Sequence, residues 1–302
     1  MMKLEGVEAF IHTAEAGSIS AASRRLGLAK SVVSERLAEL ERFLGTRLIQ
    51  RTTRKLSLTM NGQTFLPRAQ RILREASEAS AELAERSGTL AGPLRLSAPV
   101  GFGILHLAPA LCTFLAAHPD VDLTLELDDR FVDAAADGYD AVLRHGAVGD
   151  TRLIARRLAT SRRLLVASPA YLAERGTPGS LAELEGHSAI LYSNRDVDWR
   201  FQVSGGWTAI RPRAALRVNN GLVMRDAAVA GLGIALLPSF FVHSELDQGR
   251  LVQIDVGAEA EGAELFLAYP RDHSASAKIR ALADSLRKSF GDPPYWEVPR
   301  SP

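Results

Sequence analysis

The segment "LGLAKSVVSERLAELERFLG", residues 26–45, limits the folds open to this chain more than any other stretch. Val33, Leu37, Leu40 and Leu44 recur at spacings of three and four, which makes a helix with one apolar stripe. Its other side carries Lys30, Ser31, Ser34 and Glu35 near the start, a set of small or polar groups that packing alone does not require. Upstream, Leu4, Val7, Phe10, Ile11 and Ala14 keep the same period as far as Gly17. "AASRRLGL", with Ser20 as its expected cap, stops at Gly27. Three short helices with a glycine turn before the third make a helix-turn-helix pattern. "TRLIQRTTRKLSLT" then reads as two short strands, 47–50 and 55–58, around a basic tip, which is a wing.

Charge sharpens that reading. Residues 18–59 hold nine Lys and Arg against three acids, a local balance of +6, although the whole chain carries only +1. Residues 92–302 hold 22 basic and 25 acidic side chains, a balance of −3. A basic block on a near-neutral chain suits a local polyanion. The DNA major groove admits one helix, so the probing side must be small and polar while the other side stays anchored. Ser31 and Ser34 suit bases or phosphates, Lys30 guanine or phosphate, Glu35 a cytosine amino group and Val32 a thymine methyl; Arg36 completes the candidate set on this helix. At the wing, Arg51, Thr52, Thr53 and Arg54 suit phosphates or the adjacent minor groove.

Thr59 is placed to cap a long helix over 60–86, about 40 Å at 1.5 Å per residue. Its stripe includes Leu66, Ile72, Leu73, Ala76 and Leu83, and no adjacent amphipathic helix in the sequence covers it. The stripe therefore packs on its own N-terminal unit or on a second chain. We read it as a dimerisation seam. "SGTLAGP" follows as a hinge of small residues.

Beyond Pro93 the pattern becomes strands alternating with helices, the mark of an α/β fold. "LRLSAPV", "VDLTLELD", "DAVLRHG", "RLLVASP", "SAILYS", "AALRVN", "GIALLP" and "ELFLAYP" are the strand candidates, and 104–117, 221–231 and 276–290 the main helices. Cys112, the one cysteine, excludes an internal disulfide framework and sits in an apolar run that predicts a core position. The N-terminus lacks the apolar run of a signal peptide, and no segment approaches about 18 consecutive apolar residues, so a cytoplasmic chain without membrane contact is expected. No nucleophile elbow, paired-histidine metal motif or phosphate loop is present, and His106, His118, His145 and His187 lack partner spacing. Neither catalytic nor metal-binding residues are expected, and no cofactor.

Residues 1–87, through "EAGSISAASRRLGLAKSVVSERLAELERFLGTRLIQRTTRKLSLT", resemble the winged helix-turn-helix and linker helix of the LysR-type transcriptional regulators. "LRLSAPVGFG", "VDLTLELDDRFVDAAADGYDAVLRHG", "ASPAYLAERG" and "AAVAGLGIALLPSF" are similar to the co-inducer-binding domain of that family. The family usually has "LSQSAVSRQI" where this chain has "LAKSVVSERL", so Ala29 replaces a capping Ser and Lys30 a Gln. The resemblance implies an all-α winged unit over 1–59, a linker and dimerisation helix over 60–87 and a hinge over 88–92. After these comes a two-lobed α/β domain like the periplasmic solute-binding proteins over 93–291, then a tail over 292–302. Lobe I takes 93–161 and 267–291, and lobe II takes 162–266. Double-stranded DNA, a homodimer or homotetramer, a small-molecule effector and RNA polymerase are the implied partners. Ligands of such folds sit beyond strand ends and at helix N-termini. Here those places are 99–102, 128–129, 144–146, 192–195, 219–220 and 237–238. The candidates are Pro99, Val100, Gly101, Phe102, Asp128, Arg144, Ser193, Asn194, Asn219 and Pro238. A solute-binding protein without regulatory function shares the cleft but has no use for the basic wing.

Overall fold

The computed structural model describes residues 1–51, 56–85, 89–130, 134, 137–146, 150–195, 199–262, 264–271 and 276–298, with backbone alone at 51, 74, 77, 78 and 80–85. The chain divides into two compact units, Met1–Gly92 and Pro93–Pro302.

In the first unit α1 (Leu4–Ala16), α2 (Ile19–Leu26) and α3 (Lys30–Leu44) are followed by β1 (Ile49–Arg51), β2 (Leu56–Leu58) and α4 (Met60–Glu85). The cap of α2 is Ser18 rather than Ser20: Ser18 has extended backbone and its hydroxyl accepts from the Ala21 N–H. Gly27 ends α2 at φ 64°, where a side chain would be strained, and the chain turns straight into α3. Val7, Phe10 and Ile11 of α1 meet Leu37 and Leu40 of α3, with Leu48, Ile49 and Ala69 completing the core. The Glu41 carboxylate accepts from the Leu48 and Ile49 N–H groups at 2.8 and 3.0 Å, which fixes the entry to the wing. The wing strands pair antiparallel, Ile49 opposite Leu58. Thr59 caps α4 as the sequence predicts, its hydroxyl accepting from the Gly62 N–H at 3.0 Å.

The stripe of α4 is shared out differently from the sequence reading. Phe65, Leu66 and Leu73 pack against the core of their own unit, so those two seam candidates are already covered. Ile72 and Ala76 are half-buried and lie outside that cluster. The Leu83 side chain lies outside the described residues. The reason is proximity: α4 leaves the wing directly across α1, the nearest apolar surface.

The second unit contains two five-stranded sheets. The first has the order β4 (Val121–Leu127), β3 (Gly92–Ala98), β5 (Ala141–His145), β15 (Leu265–Pro270), β6 (Leu153–Ala159). The second has the order β11 (Arg213–Val218), β8 (Ser188–Tyr192), β12 (Ile234–Pro238), β7 (Arg163–Ala167), β13 (Val252–Ile254). A smaller antiparallel sheet joins β10 (Gly206–Ile210), β9 (Trp199–Val203) and β14 (Glu259–Ala260). The helices are α5 (Val100–Phe102), α6 (Ala108–Ala117), α7 (Pro169–Arg175), α8 (Leu181–Leu184), α9 (Gly221–Val229), α10 (Ser239–Asp247) and α11 (Ala277–Phe290). Strand β7 is buried throughout, and its alternate residues serve opposite faces. Leu165 and Ala167 join one cluster with Trp199 and Phe201, while Leu164 and Val166 join another with Met224 and Val242.

All eight strand candidates are present, and several expectations change. β15 starts at Leu265 and pairs with β5 and β6, so lobe I regains the chain at 265, before the expected 267. The helix after β3 starts at Val100, not 104, and is continuous through a π turn at Gly103–Leu107 into α6. Pro109 explains the widening, since it lacks an N–H and its ring crowds the carbonyl four residues back. Val100–Ala117 is also long and apolar enough by length and composition to cross a membrane, contrary to the expectation that no segment qualifies. Its Phe102, Leu107, Leu111 and Phe114 are buried in lobe I, which reads as a core helix. Cys112 is exposed, not buried: it lies on the other side of α6 from Leu111 and Phe114, so periodicity overrides local hydropathy.

The tail does more than lie on a lobe. Trp296 is 4% exposed and packs among Phe102, His106, Phe240, Phe290 and Tyr295. Its indole N–H donates to the Thr160 carbonyl at 3.1 Å. The Glu297 carboxylate accepts from the Arg162 N–H at 2.6 Å, the Arg162 Nε at 2.7 Å and the Ser239 hydroxyl at 2.5 Å. The chain crosses from β6 to β7 through these residues, and the tail fastens that crossing to α10.

Two histidines at this junction are held neutral. Burial pushes His106 down to about 4, against the Phe240 carbonyl that would favour its charge. His145 is pushed down to about 3, first by burial, and among the described residues neither ring nitrogen has a hydrogen-bond partner, although part of the residue reaches the surface. Below the unfolded value of 6.5 the unfolded chain takes up protons that the native chain refuses, so stability is present above pH 6.5 and falls as pH drops towards 4. Each histidine accounts for about 1–2 kcal/mol lost by pH 5. Urea titrations followed by tryptophan fluorescence report this unit, because Trp199, Trp207 and Trp296 all lie in it. His145→Phe is expected to flatten the pH slope. In the first unit, a Cβ on Gly62 would lie 2.1 Å from the Leu48 carbonyl oxygen. Gly62→Ala is expected to cost about 1–3 kcal/mol, read from the helical circular dichroism melt.

Candidate functional site

Two regions answer the sequence expectations, one in each unit. On α3 the buried residues are Val33, Leu37 and Leu40, and this sets what faces outward. Lys30, Ser31 and Glu35 are exposed, and Val32, Ser34 and Arg36 half-buried. Ala38 and Arg42 extend the exposed face along the helix. Arg36 lies on the flank nearest α1, where it lines a groove with Lys3, Gly6 and Glu39. Lys3 pairs with Glu39 at 2.9 Å, and this contact draws the Glu39 carboxyl below its usual range. Ala29 precedes α3 with extended backbone and makes no side-chain cap, so the helix start offers N–H groups beside Lys30. Arg24 and Arg25 are exposed at the end of α2. Arg51 is described as backbone only, and Thr52, Thr53 and Arg54 lie outside the described residues.

In the second unit the helix starting at Val100 faces the start of α9. Pro99 precedes the first with extended backbone. The Val100 N–H donates to Asp129 Oδ1 at 2.9 Å. Asn220 caps α9, its Oδ1 accepting from the Leu222 and Val223 N–H groups, while its Nδ2 donates to Asp129 Oδ2 at 2.8 Å. Asn194 Nδ2 donates to the Asp129 carbonyl at 3.2 Å. Gly101 is buried under Phe241 of α10: a Cβ there would lie 2.3 Å from the ring, and one on Gly221 would lie equally close. Asp128 turns to Arg130, whose side chain and then backbone N–H hold its carboxyl at about 2. Arg144 donates to the Arg130 carbonyl at 3.3 Å, and burial works against its charge.

The structure thus brings Pro99, Val100, Gly101 and Asn194 around one point, with Asp128 just after β4 and Arg144 on β5, both tied to Arg130. Phe102 is not at the cleft surface; it is fully buried in the aromatic cluster with His106 and Phe240. Ser193 and Asn219 are exposed, and Pro238 ends β12 directly before α10. Sequence reasoning located the strand ends at 128–129 and 219–220 but took Asp128 and Asn219, where Asp129 and Asn220 make the contacts. The signal for Asn220 was available: an Asn directly before an amphipathic helix is a cap. Phe241 had none, because its partners are two distant glycines. Among the described residues no group of His, Cys, Asp and Glu is placed to hold a metal.

Comparison with known proteins finds relatives for both units. Residues 4–63 match the bacterial regulatory helix-turn-helix protein family of the lysR type, and residues 87–291 match the LysR substrate binding domain. The chain is 32% identical to the transcriptional regulator PtxR of Pseudomonas aeruginosa, over 97% of this chain and 95% of that protein. It is also 32% identical to the regulator DmlR of Escherichia coli, over 96% and 95%. The solved structure of CrgA, a LysR-type regulator from Neisseria meningitidis, is 29% identical with a TM-score of 0.61, covering 95% of this chain and 99% of that one. Full-length AphB of Vibrio cholerae gives 26% and 0.59, with coverage of 95% and 99%. The chain belongs to the LysR family of helix-turn-helix transcriptional regulators.

Proposed function

We propose that this regulator reads duplex DNA with the Lys30, Ser31, Ser34 and Glu35 face of α3, as a dimer or tetramer, under the control of a small molecule bound between the lobes. The observation that carries the reading is α3 itself. Its apolar stripe is anchored by α1, and its outward side is exposed, small and polar at the end that enters a groove. The uncapped start of the helix and the exposed Arg24 and Arg25 suit phosphates, which supply most of the affinity and its salt dependence. Val32 and Arg36 flank the face, and Arg51, Thr52, Thr53 and Arg54 at the wing belong to the same proposal. Glu35 opposes phosphate and would favour a cytosine at its position. Site preference therefore differs from that of relatives with a neutral or basic residue there. The protein would act in the cytoplasm, where promoter DNA and RNA polymerase are, and would need no catalytic group.

Fluorescence anisotropy with duplex from upstream of its own gene tests this. Lys30→Ala is expected to weaken binding on the order of tenfold at fixed salt, and Glu35→Gln to strengthen non-specific binding while relaxing the preference for cytosine at its position. Equal affinity for wild type and both variants would refute the face. For the seam, Leu66 and Leu73 are occupied at home, so we assign the inter-chain contact to Ile72 and Ala76 with Leu83 further along α4. Ile72→Glu is expected to give a monomer by light scattering with the melting of the first unit retained, and an unchanged mass would remove the assignment.

A further inference from the structure

The polar centre of the cleft is filled from within the chain. Asp129 belongs to lobe I, yet its carboxylate takes one bond from the helix start at Val100 and one from Asn220 of lobe II. The orientation of Asn220 is fixed, because its oxygen already accepts from two N–H groups of α9 and its NH2 must therefore face Asp129. A third bond, from Asn194 to the Asp129 carbonyl, again joins the two lobes. Alongside, the ring of Phe241 is wedged between Gly101 of lobe I and Gly221 of lobe II, at positions where no residue with a Cβ would leave it room. An anion and an apolar body thus occupy the gap between the helix starts, and both are part of the protein.

We propose that Asp129 and Phe241 are a built-in occupant of the cleft, closing the lobes without a small molecule and excluding small acids unless Asp129 is displaced. The proposal rests on reading this cleft as the effector site. A free carboxylate would compete with one tethered at an effective concentration in the millimolar range or above. A ligand that donates to Asp129 through a hydroxyl or amine does not have to displace it. The cleft of this chain therefore selects donors over acids, although its helix N-termini favour anions in general.

Chemical rescue tests it on the full-length protein, with tryptophan fluorescence following the second unit and acetate as the probe. Asp129→Gly is expected to lower its melting temperature by about 3–10 °C. Acetate is expected to restore that loss saturably, beyond what chloride does at equal ionic strength. Wild type should show no such acetate response. An unchanged melting temperature in Asp129→Gly overturns the proposal, as does an acetate effect no larger than that of chloride. So does saturable stabilisation of wild type at the same midpoint. If glycine leaves the unit unfolded, Asp129→Asn keeps the size: lower stability with no acetate response supports the assignment, and wild-type stability overturns it. None of these measurements involves DNA, so their failure leaves the regulator reading standing, and loss of DNA binding in other variants does not bear on them.

Discussion

Three consecutive residues at the start of α10, Ser239, Phe240 and Phe241, hold the two lobes together. Among the described residues the backbone passes between the two five-stranded sheets near 159–163 and again just before 265, so side chains must set how the lobes meet. The Ser239 hydroxyl donates to Glu297 and lies 3.0 Å from the Ser161 hydroxyl at the first crossing. Its N–H donates to the Arg162 carbonyl at 2.8 Å. Phe240 enters lobe I, edge-on to Phe102 and stacked on His145. Phe241 fills the gap between the helix starts. One turn of lobe II thus serves the hinge, the shared core and the cleft at once, and a shift of that turn moves all three.

This makes the aromatic junction costly in a specific way. His106 and His145 sit where hydrocarbon would pack as well, and each remains neutral chiefly because burial penalises its charged form. The tail compensates: Tyr295 bonds His106, Trp296 covers Phe102, and Glu297 brings a nearly buried charge to the crossing, neutralised by Arg162. A buried carboxylate is stable only when its lone pairs are used, and here Glu297 accepts three hydrogen bonds. The turn that carries Tyr295, Trp296 and Glu297 is therefore part of the hinge.

The elements legible in the sequence were those whose pattern is local. α1, α3 and α4 follow from leucine spacing, and the buried strands β7, β8 and β12 from unbroken apolar runs that only a sheet covered on both faces requires. β6 was hidden by Arg156 and Arg157, which pair outward with Asp284 and Glu264. β9 and β10, outside the eight strand candidates, carry a readable signal all the same: Trp199 and Phe201 alternate with polar residues before Gly205 and Gly206. The cap of α2 falls at Ser18 rather than the expected Ser20 because Ser18 has the extended backbone that a cap requires. What the sequence could not carry was long-range pairing: Phe241 with Gly101, Glu297 with Arg162, and Asp129 with Asn220 are 140, 135 and 91 positions apart in the chain.

The same distances bear on how a regulator of this kind can respond. A ligand shifts a conformational equilibrium only by its differential affinity for the two states. If the empty cleft were open, any ligand bridging the lobes would close it. Here the lobes are already bridged by Asp129 and Phe241, so a ligand that closes them further gains little, and the larger effect belongs to one that replaces those contacts with a different spacing. Each bond broken at Asp129 must be repaid by a donor or acceptor on the ligand, because Val100 and Asn220 are half-buried and lose their partner otherwise. Effector chemistry and the direction of the switch are then set by one carboxylate, and the glycines at 101 and 221 are what give the neighbouring ring its place.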